Sequence, residues 1–409
     1  MLTRDKNFYD FVGRGLSSFG YEGNSFQAWI DEMFANKYNA DATFSQMGFP
    51  LNPDIPINPT YEQLEATIRP YTMAAYVDID SDGPTKSTDG LLLKMGKLPT
   101  FKHEITLSRK TLREQMMLAD KIGNITPEME GIVMDLLFYG IDDLLGGNYN
   151  TFLYQRHQIV SNKGKLVINA ENNPLGIPVE VDFGVPKKNI KTSTWYTKSD
   201  DAVTEDSGVS GGTVDPIKVM RDVRRNATEK DFAPAGHWEC DQVTFDDLIS
   251  LPYFRKMYAT FMRPDITDGD QKLSYANLVD DVAIKTFIEG RIGAPITVID
   301  SVSAVEKFDT ATKKMSYSNL RSFNEGVLVY VPDGALGDVQ CGRPIYMDTP
   351  GSRVALYDGG RTLIRQVFND ENMIQTVKSE VTGLVVPNKT RWFYYLTVKR
   401  SVADGSRTK

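Results

Sequence analysis

Cysteine and histidine are scarce in this sequence. Cys240 and Cys341 are the only cysteines, which excludes a disulfide framework and a cysteine-rich zinc site and favours a reducing, cytosolic origin. The histidines are His103, His157 and His237, and none lies in an HExxH pattern or beside a pair of cysteines. We therefore expect no metal site and no cofactor.

Long apolar runs are absent as well. No run approaches the roughly 18 residues that would span a bilayer, and the opening stretch MLTRDKNFYDF lacks the apolar segment of a signal peptide. The net charge of −8 leaves no basic stripe of the kind that general nucleic-acid binders carry. We expect a soluble protein with no membrane partner and no tight DNA binding over its whole surface.

The common catalytic motifs are also missing, since there is no GxSxG, no Walker loop and no GxGxxG after a strand. The cluster that most resembles a catalytic site is GHWEC. On a strand, His237 and Glu239 point one way while Trp238 and Cys240 point the other, so a Cys–His dyad cannot form. We expect Trp238 and Cys240 to be buried in a sheet.

Two further patterns suggest ligands only weakly. DIDSDG (78–83) and DGDQ (268–271) resemble calcium loops but lack the glutamate at position twelve. Arg221, Arg224 and Arg225 form a small basic cluster on one helix face. We expect these arginines to be solvated or paired with acids, with a phosphate contact as the alternative.

The patterning that is present is that of an ordered α+β protein, with 41% apolar residues to supply a core. Asp215 caps a helix that begins at Pro216, a second capped helix starts from Thr244, and a third spans roughly Tyr275 to Gly290. The predicted strands are PITVID, GVLVYVPDG, RPIYMD, RVALYD and the two halves of TGLVVPNKTRWFYYLTVKR.

The first 70 residues are predicted to form an arm. Within NSFQAWIDEMFANK, one helix face is apolar, and this helix packs either on its own core or on a neighbouring subunit. The apolar residues are Phe26, Trp29, Ile30, Met33 and Phe34. The segment TYEQLEATIRP then predicts another helix, with a capping box from Thr60 to Gln63 and an end at Pro70.

Residues 71–108 alternate strongly and predict a long two-stranded excursion. Alternate residues from Met73 to Ile79 share one face before the polar tip SDGPTKSTDG, and alternate residues from Phe101 to Leu107 share one face after it. An isolated hairpin is marginal in water. The excursion therefore lies either on the sheet of its own subunit or on another molecule.

A long helix is predicted from Thr126–Pro127, with a kink or break at Gly146–Gly147 and an end near 162–164. The stretch VSNKGKLVINAENNPLGIPVEVDFG follows, in which two short apolar strands flank a polar turn. The polar segment 191–214 then predicts a boundary before the next block.

The order of these segments resembles the major capsid proteins of tailed bacteriophages, most closely the phage lambda type. The likeness runs from about residue 70 to the C-terminus. The residues that carry it are the KHEITL strand at 102–107, Gly164-Lys165, the run Pro178-Val179-Glu180-Val181-Asp182 closed by Gly184, Trp195, and Asp215-Pro216.

This resemblance implies the Hong Kong-type capsid fold and no catalysis. The domains it implies are an N-terminal arm (1–70), an extended loop (71–110), a peripheral domain with a spine helix (111–214), an axial domain (215–384) and C-terminal strands (385–409) that return to the peripheral domain. The hairpin after the spine helix and the strands near Trp392–Val398 would then lie at contacts between capsomers.

The implied function is that of a shell subunit of the virion, assembled in the host cytoplasm. Its implied partners are further copies in hexamers and pentamers, a portal, scaffold or decoration proteins, and packaged double-stranded DNA held by weak contacts. The alternatives are a cargo-enclosing bacterial nanocompartment, a hydrolase using His237 and Glu239, and a carbohydrate-binding module with exposed Tyr394 and Tyr395.

Overall fold

A computed structural model describes residues 40–66, 91–107, 127–173, 175–193, 215–309, 314–346, 352–369 and 374–398. These residues form an α+β fold, as the sequence predicted. The helices are α1 (Ala40–Gln46), α2 (Pro127–Ser161), α3 (Pro216–Lys230), α4 (Gln242–Ser250), α5 (Pro252–Met262), α6 (Gly269–Asn277) and α7 (Asp281–Ile292). The strands are β1 (Thr60–Ala66), β2 (Leu91–Lys97), β3 (Thr100–Leu107), β4 (Lys165–Ile168), β5 (Val179–Asp182), β6 (Ile190–Ser193), β7 (Gly236–Asp241), β8 (Ile296–Ile299), β9 (Val302–Asp309), β10 (Lys314–Arg321), β11 (Val327–Pro332), β12 (Gly337–Gly342), β13 (Ser352–Tyr357), β14 (Thr362–Asn369), β15 (Ile374–Pro387) and β16 (Tyr394–Val398).

The chain divides into two compact units. The first comprises Met1–Glu62, Met95–Leu153 and Asp338–Val386, and the second comprises Gln63–Lys94, Tyr154–Gly337 and Pro387–Lys409. Helix α2 contributes residues to both units.

The sheet of the first unit is built on the long strand β15. It pairs antiparallel with β14 on one side and with β3 on the other, so that Val377 lies opposite both Gln366 and Ile105. The order along the main path is β12-β15-β14-β13. Strand β3, which the sequence placed at the exit of the excursion, therefore has a partner within its own chain.

Glycine at two positions of the first unit allows close packing. A Cβ on Gly147 of α2 would lie 3.1 Å from the His103 ring, and a Cβ on Gly383 of β15 would lie 2.8 Å from the Phe152 ring. The Phe152 ring also packs edge-on against Phe44 and Phe101. The predicted kink at Gly146–Gly147 is wrong, because α2 continues through both residues and Gly147 instead makes room for a histidine.

The second unit is built on a five-stranded sheet of order β6-β16-β11-β7-β8. Strand β16 runs parallel to β6 and antiparallel to β11, which in turn pairs antiparallel with β7. Helices α3, α4, α5 and α7 cover one face of this sheet. The buried core on that face includes Trp238, Tyr330, Tyr394, Met220, Phe254 and Ile288.

The bounds of the helices in the second unit were predicted in part. Helix α3 begins at Pro216, with the Asp215 carboxylate accepting from the Lys218 backbone N–H, as predicted. Helix α4 begins two residues before Thr244, because Asp241 is its cap. The third predicted helix is two helices, since Asp280 caps α7 and separates it from α6.

Two other predictions of secondary structure are wrong. Residues Thr60–Ala66 form strand β1 and not a capped helix, because β1 pairs with β2. The segment RPIYMD is not a strand over its described residues 343–346, where Ile345 is largely exposed, and the strand lies just before it at Gly337–Gly342.

The two compact units divide the chain differently from the expected domains. Residues 338–386 cluster with the first unit, although the sequence placed 215–384 in one block. The physical reason is the pairing of β15 with β3, which draws this part of the chain to the strand after the excursion. Strand β16 lies between β6 and β11, while β4 and β5 pair with each other.

Candidate assembly surfaces

An ordered turn joins β4 to β5, and we call residues 169–178 the asparagine turn. The Asn172 amide donates to the Val167 carbonyl and to the Tyr154 hydroxyl, at 2.9 and 3.0 Å. The Asn173 amide donates to the Ile177 carbonyl at 2.9 Å. The Asn169 carboxamide oxygen accepts from the Glu171 backbone N–H at 2.8 Å. These hydrogen bonds order the described residues of the turn.

The asparagine turn presents two aliphatic side chains to solvent. Leu175 is 82% exposed and Ile177 is 58% exposed. Lys307 of β9 braces the base of the turn by donating to the Ala170 carbonyl at 2.8 Å. An ordered surface turn with two exposed aliphatic residues is suited to contact with another apolar surface.

The two-stranded sheet of β1 and β2 flanks residues 67–90. Its exposed side chains include Leu64, Leu93 and Met95. The two-stranded excursion predicted over 71–108 is wrong in its returning strand, because Thr100–Leu107 form β3 and pair with β15. The strand that returns to pair with β1 is β2. Residues 67–90, which include DIDSDG, lie outside the described part of the chain. The amphipathic helix predicted around Trp29 also lies outside it.

A charged network is buried on the face of the second unit's sheet opposite to helices α3–α5 and α7. Both guanidinium ends of Arg156, on α2, donate to the Glu239 carboxylate of β7, and both side chains are almost fully buried. His237 contacts Glu239 through Nε2 at 3.3 Å and Asp333 through Nδ1 at 2.8 Å. The last turns of α2 are thereby attached to the sheet.

This network shifts the pKa values of its members. Burial alone would raise the pKa of Glu239, but the charge of Arg156 and the hydrogen bonds from His237 and Arg156 lower it to about 2. Burial would lower the pKa of His237, yet its bonds to Glu239 and Asp333 raise it. Burial lowers the pKa of the neighbouring His157 to about 3, and the charge of Arg156 acts in the same direction.

We predict that His157 makes the unassembled protein sensitive to acid. The imidazole is neutral when folded down to about pH 3 but takes up a proton near pH 6.5 when unfolded. Its contribution to stability is therefore complete above pH 6.5 and is lost as the pH falls towards 3. We expect about 2 kcal/mol of this loss between pH 6 and pH 4.5.

Urea unfolding of wild type and His157→Gln at both pH values measures the effect. The substitution should flatten the pH dependence by about that amount, whatever it does to stability at pH 7. His237→Gln is the comparison of opposite sign, because the pKa of His237 is raised and its loss should make the fall in stability on acidification steeper. Identical pH slopes for wild type and His157→Gln would contradict the prediction.

The geometry removes the basis for two alternative functions. His237 and Glu239 do share one side of β7, and Trp238 and Cys240 are buried as predicted. However, both carboxylate oxygens of Glu239 accept from Arg156, and the side chain is almost fully buried, so it is not available to a substrate. Tyr394 and Tyr395 are buried and cannot form an exposed carbohydrate platform.

The weaker ligand patterns have structural explanations. Arg221 and Arg224 donate to the carbonyls of Arg291 and Gly293, at the end of α7, so they cap that helix. Arg225 lies near acids of its own helix. Within DGDQ, Asp268 caps α6. No group of acidic, histidine and cysteine side chains in the described residues could hold a metal ion.

A match to a known protein family identifies the class of protein that carries these surfaces. Residues 27–287, more than half of the chain, match the family described as phage major capsid protein E. The chain belongs to this family. The resemblance to tailed-phage major capsid proteins is confirmed, and the protein is a structural subunit of the virion shell that self-assembles and is not an enzyme.

Several solved structures are similar to this chain at low identity. A putative capsid protein of a prophage from E. coli CFT073 is 15% identical, with 76% of this chain and 80% of that chain covered and a TM-score of 0.44. A phage-related protein from Bordetella bronchiseptica RB50 is 10% identical, with 91% of this chain and 97% of that chain covered and a TM-score of 0.43. The capsid of Ralstonia phage GP4 is 8% identical, with 88% of this chain and 90% of that chain covered and a TM-score of 0.43.

No curated protein sequence matches the chain. The family assignment therefore rests on the family match. In addition, none of the described helices of this capsid protein is both long and apolar enough to cross a membrane.

Proposed function

We propose that this capsid protein forms hexamers and pentamers that close into an icosahedral shell around the phage genome, with the Hong Kong-type fold. The arm, extended loop, peripheral domain and axial domain inferred from the sequence are part of this proposal. So are assembly in the host cytoplasm, a portal, scaffold or decoration proteins, and weak contacts with packaged double-stranded DNA. Family membership supports the proposal.

The asparagine turn is the observation that carries the proposal for a subunit contact. Leu175 and Ile177 are exposed although hydrogen bonds of Asn172 and Asn173 hold the turn beside them. Burying each aliphatic side chain is worth about 1.5–3 kcal/mol. A shell subunit has many copies of itself as neighbours, so we assign the turn's partner to a second copy of this chain.

The loop between β1 and β2 is the second proposed contact between subunits. The two strands are paired at its base, and the polar tip predicted between them has too little apolar content to form a core of its own. We propose that this extended loop lies on an adjacent subunit.

We predict that deleting Ser81–Gly90 leaves a folded subunit that fails to close shells. Fourteen residues, 67–80, still connect β1 to β2, so the described pairing survives while the proposed contact is lost. Sedimentation and electron microscopy distinguish closed particles from free subunits or capsomers. Urea unfolding verifies that the subunit is folded.

A variant with ten Gly and Ser residues in place of Ser81–Gly90 is the matched control for loop length. If the side chains of the tip make the contact, this variant also fails to close shells, although the loop keeps its reach. Normal particles from the deletion variant would refute the assignment of the loop to an adjacent subunit.

A further inference from the structure

Three separate segments of the second unit meet at one surface. The Lys188 ammonium pairs with the Asp231 carboxylate. The Trp392 indole N–H donates to the Asp231 carbonyl at 3.0 Å. The Asn189 amide donates to the Arg391 carbonyl at 2.7 Å. Residues 187–191, 229–231 and 389–392 are therefore neighbours in space, although they are far apart in sequence.

These segments form a basic surface on an acidic protein. The cationic side chains are Lys187, Lys188, Lys191, Lys230, Lys389 and Arg391. The acidic side chains among them are Asp231, which pairs with Lys188, Glu229, and Glu65, which accepts from the Thr390 hydroxyl and the Arg391 backbone N–H. Positive charge is in excess here, whereas the whole chain carries −8.

Three lysines of the basic surface are free to meet an external anion. Lys187, Lys191 and Lys230 are exposed and make no ion pair within the described part of the chain. Lys389 lies over the Trp392 ring at 5.6 Å and makes no ion pair there either. Lysines at a surface of this kind act as point charges, which suits the phosphates of a nucleic-acid backbone and reads no sequence.

We propose that the basic surface is where this chain contacts the phosphate backbone of double-stranded DNA. The inference rests on the proposed function, a shell around a DNA genome. The net charge of the chain repels DNA, so a weak contact is favoured where the local charge is reversed. An acidic surface on a second copy is the competing partner, and the experiment below separates the two.

Binding of a labelled 20-base-pair duplex to unassembled protein tests the site. We expect weak binding. The logarithm of the association constant should fall linearly with the logarithm of the salt concentration, with a slope of about −0.9 per phosphate contact. The variant Lys187→Gln, Lys191→Gln, Lys230→Gln should lose at least about tenfold in affinity at 50 mM salt. The slope of its log association constant against log salt concentration should become less negative by about 2 to 3.

A second triple variant, Lys163→Gln, Lys218→Gln, Lys272→Gln, changes the net charge equally at other places in the second unit. It should keep the wild-type slope and nearly the wild-type affinity. Equal losses in both triple variants would mean that only net charge matters and would overturn the site. The absence of any duplex binding by the wild type would overturn it as well.

Particle assembly of the same variants separates this proposal from the proposed function. The basic-surface variant should still form shells, as judged by electron microscopy. If it fails to assemble while binding the duplex normally, the basic surface contacts a second copy and the DNA assignment is wrong. If the wild type itself forms no shells, the proposed function fails, and the duplex measurement still stands on its own.

Discussion

Leu175→Ser combined with Ile177→Ser should raise the concentration needed for shell formation by about 100-fold or more and leave the subunit as stable as before. Both side chains are exposed in the single subunit, and exposed substitutions of this kind usually change stability by no more than about 0.5 kcal/mol. In the shell, the same side chains are proposed to be buried against a second copy. Their loss would then remove about 3–6 kcal/mol of contact per subunit.

A loss of 3 kcal/mol per contact raises the concentration needed for assembly by about 100-fold. Light scattering at increasing protein concentration measures this threshold, and urea unfolding measures the stability of the unassembled subunit. A fall in subunit stability of several kcal/mol would show that the turn packs on its own core. Normal assembly would show that the turn is not a contact.

Two control variants separate the apolar contact from the order of the turn. Leu175→Met with Ile177→Val keeps the apolar character and should assemble with a threshold close to that of the wild type. Asn172→Ala keeps both aliphatic residues but removes the bonds to the Val167 carbonyl and the Tyr154 hydroxyl. It should raise the threshold to an intermediate value, because binding must then order the turn.

Arg156→Met should lower the free energy of unfolding of the second unit by about 3–5 kcal/mol. The substitution leaves the Glu239 carboxylate buried without its bidentate partner, and an uncompensated buried charge has a cost of this size. Unfolding is followed by tryptophan fluorescence, since Trp238 and Trp392 are both buried in this unit.

The control for this prediction is Arg225→Met, which removes an arginine from helix α3 whose acidic neighbours lie 3.8 Å or more away at the surface. It should cost no more than about 0.5 kcal/mol. Replacing both partners, as Arg156→Met with Glu239→Leu, should restore much of the lost stability because no charge is then left buried. A loss below about 1 kcal/mol for Arg156→Met alone would contradict the prediction.

Features that depend on neighbouring residues could be predicted from the sequence. Asp215 and Pro216 begin α3 because a cap and a proline act within one helical turn. The placement of Trp238 and Cys240 together in the core follows from the two-residue period of a strand, whereas the burial of Glu239 on the other face does not. The phage capsid family was also recognisable, because it depends on the order of several short patterns along the chain.

Features that depend on distant partners could not be predicted. The capping box at Thr60–Gln63 favours a helix, but pairing with β2 makes the segment a strand. Nothing near Glu239 in the sequence indicates that Arg156, 83 positions away, is its partner. The asparagine turn was recognised as polar, yet only the structure reveals that its hydrogen bonds leave Leu175 and Ile177 in solvent.

The burial of both cysteines governs their reactivity in the folded subunit. Burial raises the pKa of Cys240 and of Cys341 to about 12 in each case. Fewer than about one thiol in ten thousand is then ionised at neutral pH, and the thiolate is the form that reacts with oxidants and disulfides. Oxidants and disulfides in solution therefore react slowly with both cysteines of the folded subunit, and we expect no sulfur crosslinks between subunits through them.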